Sequence, residues 1–147
     1  MEEKKIVIAS DHAGFELKQK LVNYLRSKDI FVDDIGTYSA ESTDYPDYGH
    51  ALAEKVKSGR YYAGISLCGS GNGINITANK HPEIRSALCW RRDIAELARR
   101  HNDANICALP ARFITFEEAC EIVDAFLTAP FDGGRHERRK EKIPLKK

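Results

Sequence analysis

The sequence predicts an α/β fold in which helices cover both faces of a parallel sheet. Short apolar runs alternate along the chain with stretches whose apolar residues recur every three to four positions, the patterns of buried strands and amphipathic helices. Repeated strand–helix units favour parallel pairing with right-handed crossovers. The 147 residues, 42% of them hydrophobic, are enough for one domain with a real core. We therefore expect a single domain over residues 1–147, in which 131–147 form a charged carboxyl-terminal extension.

Apolar runs predict five strands, at Lys5–Ser10, Ile30–Ile35, Tyr62–Leu67, Ile84–Trp90 and Asn105–Leu109. The second run is half polar, which indicates a position nearer the edge of the sheet. Helical spacing predicts one helix after each strand. The first two carry their apolar faces on Phe15, Leu17, Leu21 and Leu25, and on Ala51, Leu52 and Val56 as far as Gly59, after a long polar loop at Gly36–Asp47.

The remaining predicted helices follow the last three strands. The third helix is short, begins at a glycine-rich loop and ends before Pro82, and the fourth runs through Ile94, Leu97 and Ala98 to His101. Thr115 and Glu118 have the spacing of a capping box, so the last main helix begins there. Its predicted inner face consists of Ala119, Ile122, Val123 and Phe126, and Pro130 ends it.

Composition excludes several classes of protein. A net charge of +1 from 23 basic and 22 acidic residues gives no reason to expect a nucleic-acid or membrane partner. Met1–Lys5 lacks the apolar region of a signal peptide, and no apolar run approaches the roughly 20 residues of a membrane span. Four cysteines lack any CxxC or zinc spacing, which favours reduced thiols in a cytoplasmic protein: Cys68, Cys89, Cys107 and Cys120.

The most informative segment is Gly64–Asn75, in which a predicted strand ends at Cys68 and three alternate glycines then open a helix. Glycines let backbone approach a ligand closely, and a strand-to-helix turn directs free N–H groups at an anion. A thiol beside such a turn sits in a positive field that favours the reactive thiolate. A free cysteine is more often a small buried hydrophobe, but the neighbouring glycines favour the functional interpretation of Cys68.

Counting residues excludes three familiar loops. Ile74 stands where the dinucleotide fingerprint needs its third glycine, and no Gly-Lys-Ser/Thr follows as a P-loop requires. Ile74 also occupies the arginine position of a thiol-dependent phosphatase loop. The interpretation that remains is a cradle for a small anion or oxyanion, with a soft base or nucleophile beside it.

Ligands of open α/β sheets bind outside the carboxyl ends of the strands. Asp11 and His12 follow the first strand there, beside the glycine loop, and can hydrogen-bond a polyol. His101 and Arg135 follow helices that return to the opposite edge. If His101 acts with Cys68, it does so in a neighbouring subunit, so we expect a homodimer with shared sites. Arg135 and Arg139, four residues apart, lie on one helical face and could grip a phosphate.

Six short segments occur in a characteristic order: Ser10–Gly14 (SDHAG), Asp44–Pro46 (DYP), Cys68–Gly73 (CGSGNG), Ala78–Lys80 (ANK), His101–Asn105 (HNDAN) and Gly133–His136 (GGRH). With them the chain resembles the ribose-5-phosphate isomerase B family from Ile6 to about Ile143. That family also contains allose-6-phosphate and galactose-6-phosphate isomerases. The resemblance implies a three-layer α/β/α Rossmann-like fold with a five-stranded parallel sheet. It also implies interconversion of ribose 5-phosphate and ribulose 5-phosphate in the pentose phosphate pathway, without a metal or other cofactor.

The resemblance also implies residue roles. Cys68 is the base that moves a proton between C2 and C1, His101 donates a proton for ring opening, and Ser70 orients the base or the reacting oxygens. Contacts to the sugar fall to Asp11, His12 and Tyr45, and contacts to the enediolate oxygens to Gly69, Ser70, Gly71, Asn72 and Gly73. The remaining hydroxyls and the phosphate fall to Asn102, Arg112, Arg135 and Arg139. One branch of the family uses a glutamate just after the glycine loop; Ile74 at that position fits the thiol branch.

Alternatives stay open at this stage. An isomerase of six-carbon sugar phosphates differs only in the room its site leaves, and a non-catalytic sugar-phosphate sensor needs the arginines but no base. Cys89 also ends a predicted strand and is the rival thiol, although without a glycine loop after it we expect a core residue. The sequence does not decide whether dimers pair into tetramers, or what Trp90–Arg92 does.

Overall fold

The computed structural model describes residues 4–145 and confirms the α/β architecture. The sheet contains five parallel strands, in the order β2-β1-β3-β5-β4. They are β1 (Lys5–Ser10), β2 (Phe31–Asp34), β3 (Ala63–Cys68), β4 (Ser86–Leu88) and β5 (Ile106–Pro110). The helices are α1 (Phe15–Ser27), α2 (Tyr45–Lys57), α3 (Asn72–Ala78), α4 (Arg92–Asn102), α5 (Phe116–Thr128) and α6 (Arg135–Glu141), with a 3-10 turn at His12–Gly14.

Two hydrophobic clusters fill the space on either side of the sheet. Residues of β1 alternate between them, with Ile6 and Ile8 facing α1, α4 and α5, and Val7 and Ala9 facing α2 and α3. Strands buried on both faces read as continuous apolar runs, and this is why β1 and β3 could be located from the sequence. The three layers are therefore helices, sheet and helices.

Strand β2 lies at one edge of the sheet, as its half-polar sequence predicted. Strand β4 lies at the other edge and is shorter than the predicted Ile84–Trp90. The Asn79 side chain accepts from the Ser86 N–H at 2.8 Å and donates to the Ser86 carbonyl at 2.9 Å. A side chain thus satisfies this backbone where another strand would otherwise pair, which protects the open edge.

Two side-chain placements differ from the sequence expectation. Leu97 was expected on the apolar face of α4 but is 43% exposed, and Ala95, Ala98 and Arg99 are buried there instead. The Arg99 guanidinium lies over the rings of Tyr62 and Phe126, 5.2 and 5.5 Å from their centroids, and fills the space that an apolar side chain would otherwise occupy. Its long stem explains how a charged residue packs in this core.

Lys18 is a second charged residue inside the protein, fully buried on α1. Its Nζ lies 2.7 Å from the Asp34 carboxylate at the end of β2. A buried ammonium requires such a partner, because taking an isolated charge out of water is costly. The pair joins the first helix to the edge strand.

The predicted charged extension contains α6, which is docked on α4 rather than trailing freely. Asp132 donates its backbone N–H to the Arg100 carbonyl at 3.0 Å, and Lys140 Nζ lies 3.3 Å from Asp103 Oδ2. Between residues 4 and 145 no helix has the length and apolar character needed to cross a bilayer.

Candidate active site

The site begins where the chain leaves two neighbouring strands in opposite directions. From β1 the chain continues to α1 on one face of the sheet, and from β3 it continues to α3 on the other. A crevice opens at such a switch point, outside the carboxyl ends of the strands. Asp11 follows β1 there, and Cys68 ends β3, which places both predicted residues at this crevice.

The Cys68 thiol is 4% exposed and packs against Ile74 and Ala108, with Tyr48 and Leu88 beside it. The residues that follow it rise to the surface, from the half-buried Gly69 to the exposed Ser70. The thiol thus lies at the base of the glycine loop, shielded from bulk water. Cys89, the rival thiol, is fully buried in the cluster on the opposite face of the sheet.

Backbone conformation explains why the loop needs glycine at two positions. Gly71 has φ +77°, and a Cβ there would lie 2.5 Å from Leu88 Cδ1. A Cβ on Gly73 would lie 2.5 to 2.9 Å from three atoms of the Tyr45 ring. The absence of side chains therefore lets the loop turn into α3 and lets Tyr45 pack directly on it.

The loop presents unpaired donors. Within the part of the chain that the structure describes, residues 4–145, no hydrogen bond uses the backbone N–H groups of Ser70, Gly71 or Gly73. The Asn72 N–H points to Ser70 Oγ at 3.3 Å, and the Asn72 side-chain amide reaches the same oxygen at 3.2 Å. Successive free amides of this kind form a cradle for an anionic oxygen.

The residues after β1 are held in fixed orientations beside this cradle. Asp11 Oδ1 accepts from the Gly14 N–H at 3.2 Å and so caps the 3-10 turn. His12 Nδ1 accepts from the Thr43 N–H at 3.1 Å, and the His12 N–H donates to Thr43 Oγ1 at the same distance. A neutral imidazole that accepts at Nδ1 carries its proton on Nε2, so His12 can offer a donor to a ligand.

Arg112 joins the same edge from the turn after β5. Its backbone N–H donates to the Gly69 carbonyl at 3.0 Å, and its guanidinium Nη1 would lie 3.3 Å from a Cβ on Gly69. The side chain is exposed. Eight of the predicted residues therefore surround one crevice with Cys68: Asp11, His12, Tyr45, Gly69, Ser70, Asn72, Gly73 and Arg112, with Gly71 shaping the turn.

The other predicted residues lie at the opposite ends of the strands, where the strands begin. His101 and Asn102 end α4, next to the beginning of β5, and Arg135 and Arg139 lie on α6. Strand β3 spans six residues, so its two ends are roughly 16 Å apart at about 3.3 Å per residue. Within one chain, His101 and Cys68 cannot contact the same small molecule.

Where the strands begin, His101 stacks on His136, with ring centroids 4.1 Å apart and planes 7° from parallel. Loss of hydration lowers the pKa of His136, and the neighbouring His101, Arg135 and Arg139 lower it further, while Asp132 opposes them. Among residues 4–145, only His101, Asp132 and His136 bring three potential metal-ligating atoms within 4.8 Å of one another. Because the ring planes are nearly parallel, the lone pairs of the two rings lie in separate parallel planes rather than in one.

Sequence reasoning missed Thr43 and His136. Thr43 precedes α2 in a polar loop, and only the fold brings it to His12. His136 stands in a characteristic segment, but nothing in its local pattern indicates a stack on a histidine 35 positions earlier.

The chain matches known proteins in sequence over most of its length. Residues 6–143 match the family model described as Ribose/Galactose Isomerase. The Escherichia coli ribose-5-phosphate isomerase B is 45% identical over 140 residues, which cover 95% of this chain and 94% of that protein.

Two solved structures share the fold. A Thermotoga maritima ribose 5-phosphate isomerase superposes with a TM-score of 0.95 at 56% identity, covering 97% of this chain and 98% of that one. The Mycoplasma genitalium ribose-5-phosphate isomerase B with bound ribulose-5-phosphate superposes with a TM-score of 0.91 at 42% identity, covering 97% and 95%. The match spans nearly the whole chain, and the chain therefore belongs to the ribose/galactose isomerase family.

Proposed function

We propose that this protein interconverts D-ribose 5-phosphate and D-ribulose 5-phosphate through an enediolate, with Cys68 as the base. The observation that carries the proposal is the thiol at the end of β3, at the base of a loop whose amides of Ser70, Gly71 and Gly73 have no protein acceptor among residues 4–145. Family membership supports it, as does the relative whose structure holds ribulose-5-phosphate.

In the forward step the Cys68 thiolate removes the proton from C2 of the open-chain aldose. The electrons of that C–H bond form the C1–C2 double bond, and the former carbonyl oxygen takes the negative charge. The loop amides stabilise this oxyanion, for which a single donor is typically worth about 3 kcal/mol of barrier. The thiol then returns its proton to C1, the O2 hydroxyl proton passes to O1, and the carbonyl forms at C2. Ser70 lies beside these oxygens and orients them.

Ring opening needs a proton donor, which we assign to His101 of the partner subunit. The beginnings and the ends of the strands are too far apart for His101 and Cys68 to act together in one chain. A homodimer in which the end of α4 approaches the partner's glycine loop satisfies both requirements. Asn102, Arg135 and Arg139 lie at the same end of the strands as His101 and would enter the same shared site.

We assign phosphate binding to the arginines, since a guanidinium binds phosphate with two parallel hydrogen bonds. Asp11, His12 and Tyr45 contact the sugar hydroxyls, with His12 donating from Nε2. Among residues 4–145 the four cysteines are free, which supports a reducing, cytoplasmic location for the single domain over 1–147.

Substrate preference is tested by offering the purified protein ribose 5-phosphate, allose 6-phosphate and galactose 6-phosphate without added metal. We expect ketose from ribose 5-phosphate at the highest kcat/KM. In deuterated water, deuterium should enter C1 of the product, because a base-mediated transfer exchanges with solvent and a hydride shift does not. Ketose formation only from a six-carbon sugar would favour the alternative isomerase, and binding without turnover would favour a sensor.

The base is tested with Cys68→Ala, for which we expect no measurable turnover while ribose 5-phosphate still binds by calorimetry. Cys120→Ala is the matched control, since this half-buried thiol lies on α5, away from the crevice. Near-full activity of Cys68→Ala would defeat the assignment even if the isomerase activity itself is confirmed.

The shared site is tested by mixing two inactive variants, Cys68→Ala and His101→Ala, under conditions that exchange subunits. One of the two sites in a hybrid dimer would contain both native residues, so we expect activity to return to the mixture. Each variant mixed with itself is the control. A mixture that forms hybrids by mass spectrometry and stays inactive would rule out shared sites.

A further inference from the structure

Histidines outside the candidate active site form a second cluster between α2 and α3. His50 lies on α2, and His81 follows the end of α3. His50 Nδ1 and His81 Nε2 are 2.7 Å apart, and the ring centroids are 4.9 Å apart with planes 59° from parallel. On the far side of His81, Glu54 Oε1 lies 3.1 Å from Nδ1.

The 2.7 Å separation requires a hydrogen bond between the two rings. Two imidazole nitrogens at this distance share one proton, so one nitrogen donates and the other accepts. Glu54, negatively charged beside Nδ1 of His81, favours a proton on that nitrogen and leaves Nε2 as the lone-pair side of the ring. The lone pair of His81 therefore faces the ring of His50.

This arrangement matches a metal site supported by a carboxylate. Metal-ligating histidines commonly give their second N–H to a carboxylate, which sets the tautomer and the orientation of the ring. Glu54 occupies that supporting position, and His50 supplies a second nitrogen from the same helix four residues earlier. The cluster differs here from His101 and His136, whose stacked rings do not converge.

Two imidazole ligands suit first-row transition ions such as Ni²⁺, Cu²⁺ and Zn²⁺. Ligand nitrogens about 2.0–2.1 Å from a metal are about 2.9 Å apart when they bind at neighbouring square-planar or octahedral positions, and about 3.4 Å apart in a tetrahedral site. The observed 2.7 Å is a hydrogen-bond distance, so the rings must separate by a few tenths of an ångström for the first arrangement and by more for the second. An ion would replace the proton between the rings: the His50 proton moves from Nδ1 to Nε2 by exchange with water, and Nδ1 then offers a lone pair beside that of His81 Nε2, while water fills the other positions.

The supporting helices are held firmly together. Gly49, next to His50, approaches Thr77 so closely that a Cβ would lie 2.9 Å from Thr77 Cγ2. The His81 N–H donates to the Ala78 carbonyl at 3.1 Å, which fixes the backbone after α3. Both ligands thus project from backbone whose separation is set by packing, so binding an ion requires little ordering.

We propose that His50 and His81, supported by Glu54, bind a divalent transition-metal ion that favours imidazole ligands, such as Ni²⁺, Cu²⁺ or Zn²⁺, at the junction of α2 and α3. The site is separate from the proposed isomerase chemistry and does not depend on it.

The test is calorimetric titration of the full, tag-free chain with Ni²⁺, chosen because it does not oxidise thiols as Cu²⁺ does. We expect His50→Asn and His81→Asn each to weaken binding at least about tenfold, and Glu54→Gln to weaken it about 10- to 100-fold, as loss of a supporting carboxylate does. His101→Asn is the matched control at the other histidine pair and should bind Ni²⁺ like the native chain.

A second measurement keeps the proposal testable if a variant fails to fold. In the native chain, paramagnetic Ni²⁺ should broaden the imidazole NMR signals of His50 and His81 before those of His101 and His136. Native affinity in both His50→Asn and His81→Asn would overturn the proposal. So would loss of binding in His101→Asn, or broadening that begins at His101.

Discussion

At the scale of single residues, close approach at the glycine loop links the backbone to the proposed chemistry. The Tyr45 ring packs directly on Gly73, and its Cε1 and Cζ atoms come nearest to the position that a Cβ would take. The phenol is 42% exposed, so its position depends on the shape of the loop rather than on surrounding core. Small changes in the loop should therefore move the Tyr45 side chain, which we propose contacts the sugar, without unfolding the protein.

We expect Gly73→Ala to lower kcat/KM about tenfold or more, since misplacing a positioning group by about 1 Å can cost up to 10²-fold. The new methyl group meets the Tyr45 ring, which turns outward, and the melting temperature should change little. The measurement is steady-state kinetics with ribose 5-phosphate. In a Tyr45→Ala background the same substitution should have a much smaller additional effect; equal effects in both backgrounds would exclude the ring as the cause.

At the scale of elements, α5 shows how a local sequence signal sets a helix boundary. The Thr115 hydroxyl accepts from the Glu118 N–H at 3.1 Å, and the Glu118 carboxylate accepts from the Thr115 N–H at 3.0 Å. Two donors that a helix start leaves unpaired are thereby satisfied. The helix then buries Ile122, Val123 and Phe126 against the sheet.

Thr115→Ala should lower the free energy of unfolding by about 1 kcal/mol, the usual cost of losing an N-cap. Urea denaturation should show a lower midpoint with an unchanged m-value. Thr128→Ala, at the other end of α5, is the matched control, because its hydroxyl only donates back to the Asp124 carbonyl. We expect that control to lie within about 0.5 kcal/mol of the native chain; equal losses at both threonines would contradict a capping role.

Elements whose stability is local could be predicted from the sequence, whereas those that depend on distant partners could not. The apolar runs located β1, β3 and β5, and the capping box located α5 within a residue. The beginning of β4 depends on Asn79, which follows α3, and the burial of Lys18 depends on Asp34, 16 positions away. The strand order likewise follows from tertiary packing, which a single sequence pattern does not encode.

The candidate site likewise combines residues that the sequence could identify with residues that it could not. Cys68 and the glycines were evident because strand, thiol and glycines are adjacent in the chain. The contact between His12 and Thr43 and the stack of His101 on His136 join residues more than 30 positions apart. No local spacing indicates such pairs.

At the scale of the whole molecule, the cluster on the α1, α4 and α5 face contains two buried thiols in neighbouring segments of the sheet layer. Cys89 lies just beyond β4, and Cys107 lies within β5; both are fully buried. A hydrogen bond with Cys89, and then burial, raise the pKa of the Cys107 thiol well above its ordinary value. Folding therefore favours the neutral thiol.

This raised pKa makes stability depend on alkaline pH. In the unfolded chain the thiol ionises near pH 8.5, so the contribution of Cys107 is complete below that pH and is lost as pH rises beyond it, by up to about 1.4 kcal/mol per pH unit. We expect the melting temperature of the native chain to fall more steeply between pH 8.5 and 10.5 than that of Cys107→Val. Ile122→Val, a change without a thiol in the same cluster, should keep the native slope. Parallel slopes for all three proteins would show that Cys107 does not contribute.

The position of β5 has a consequence for how this protein is made. The last strand to leave the ribosome lies between β3 and β4, so a nascent chain that has not yet emerged past residue 110 holds three paired strands and a separate β4, with β3 unpaired on one side. Such unpaired strands attract other chains until they are paired. The interval between the emergence of β3 and the emergence of β5 is therefore the one in which this sheet is exposed to aggregation.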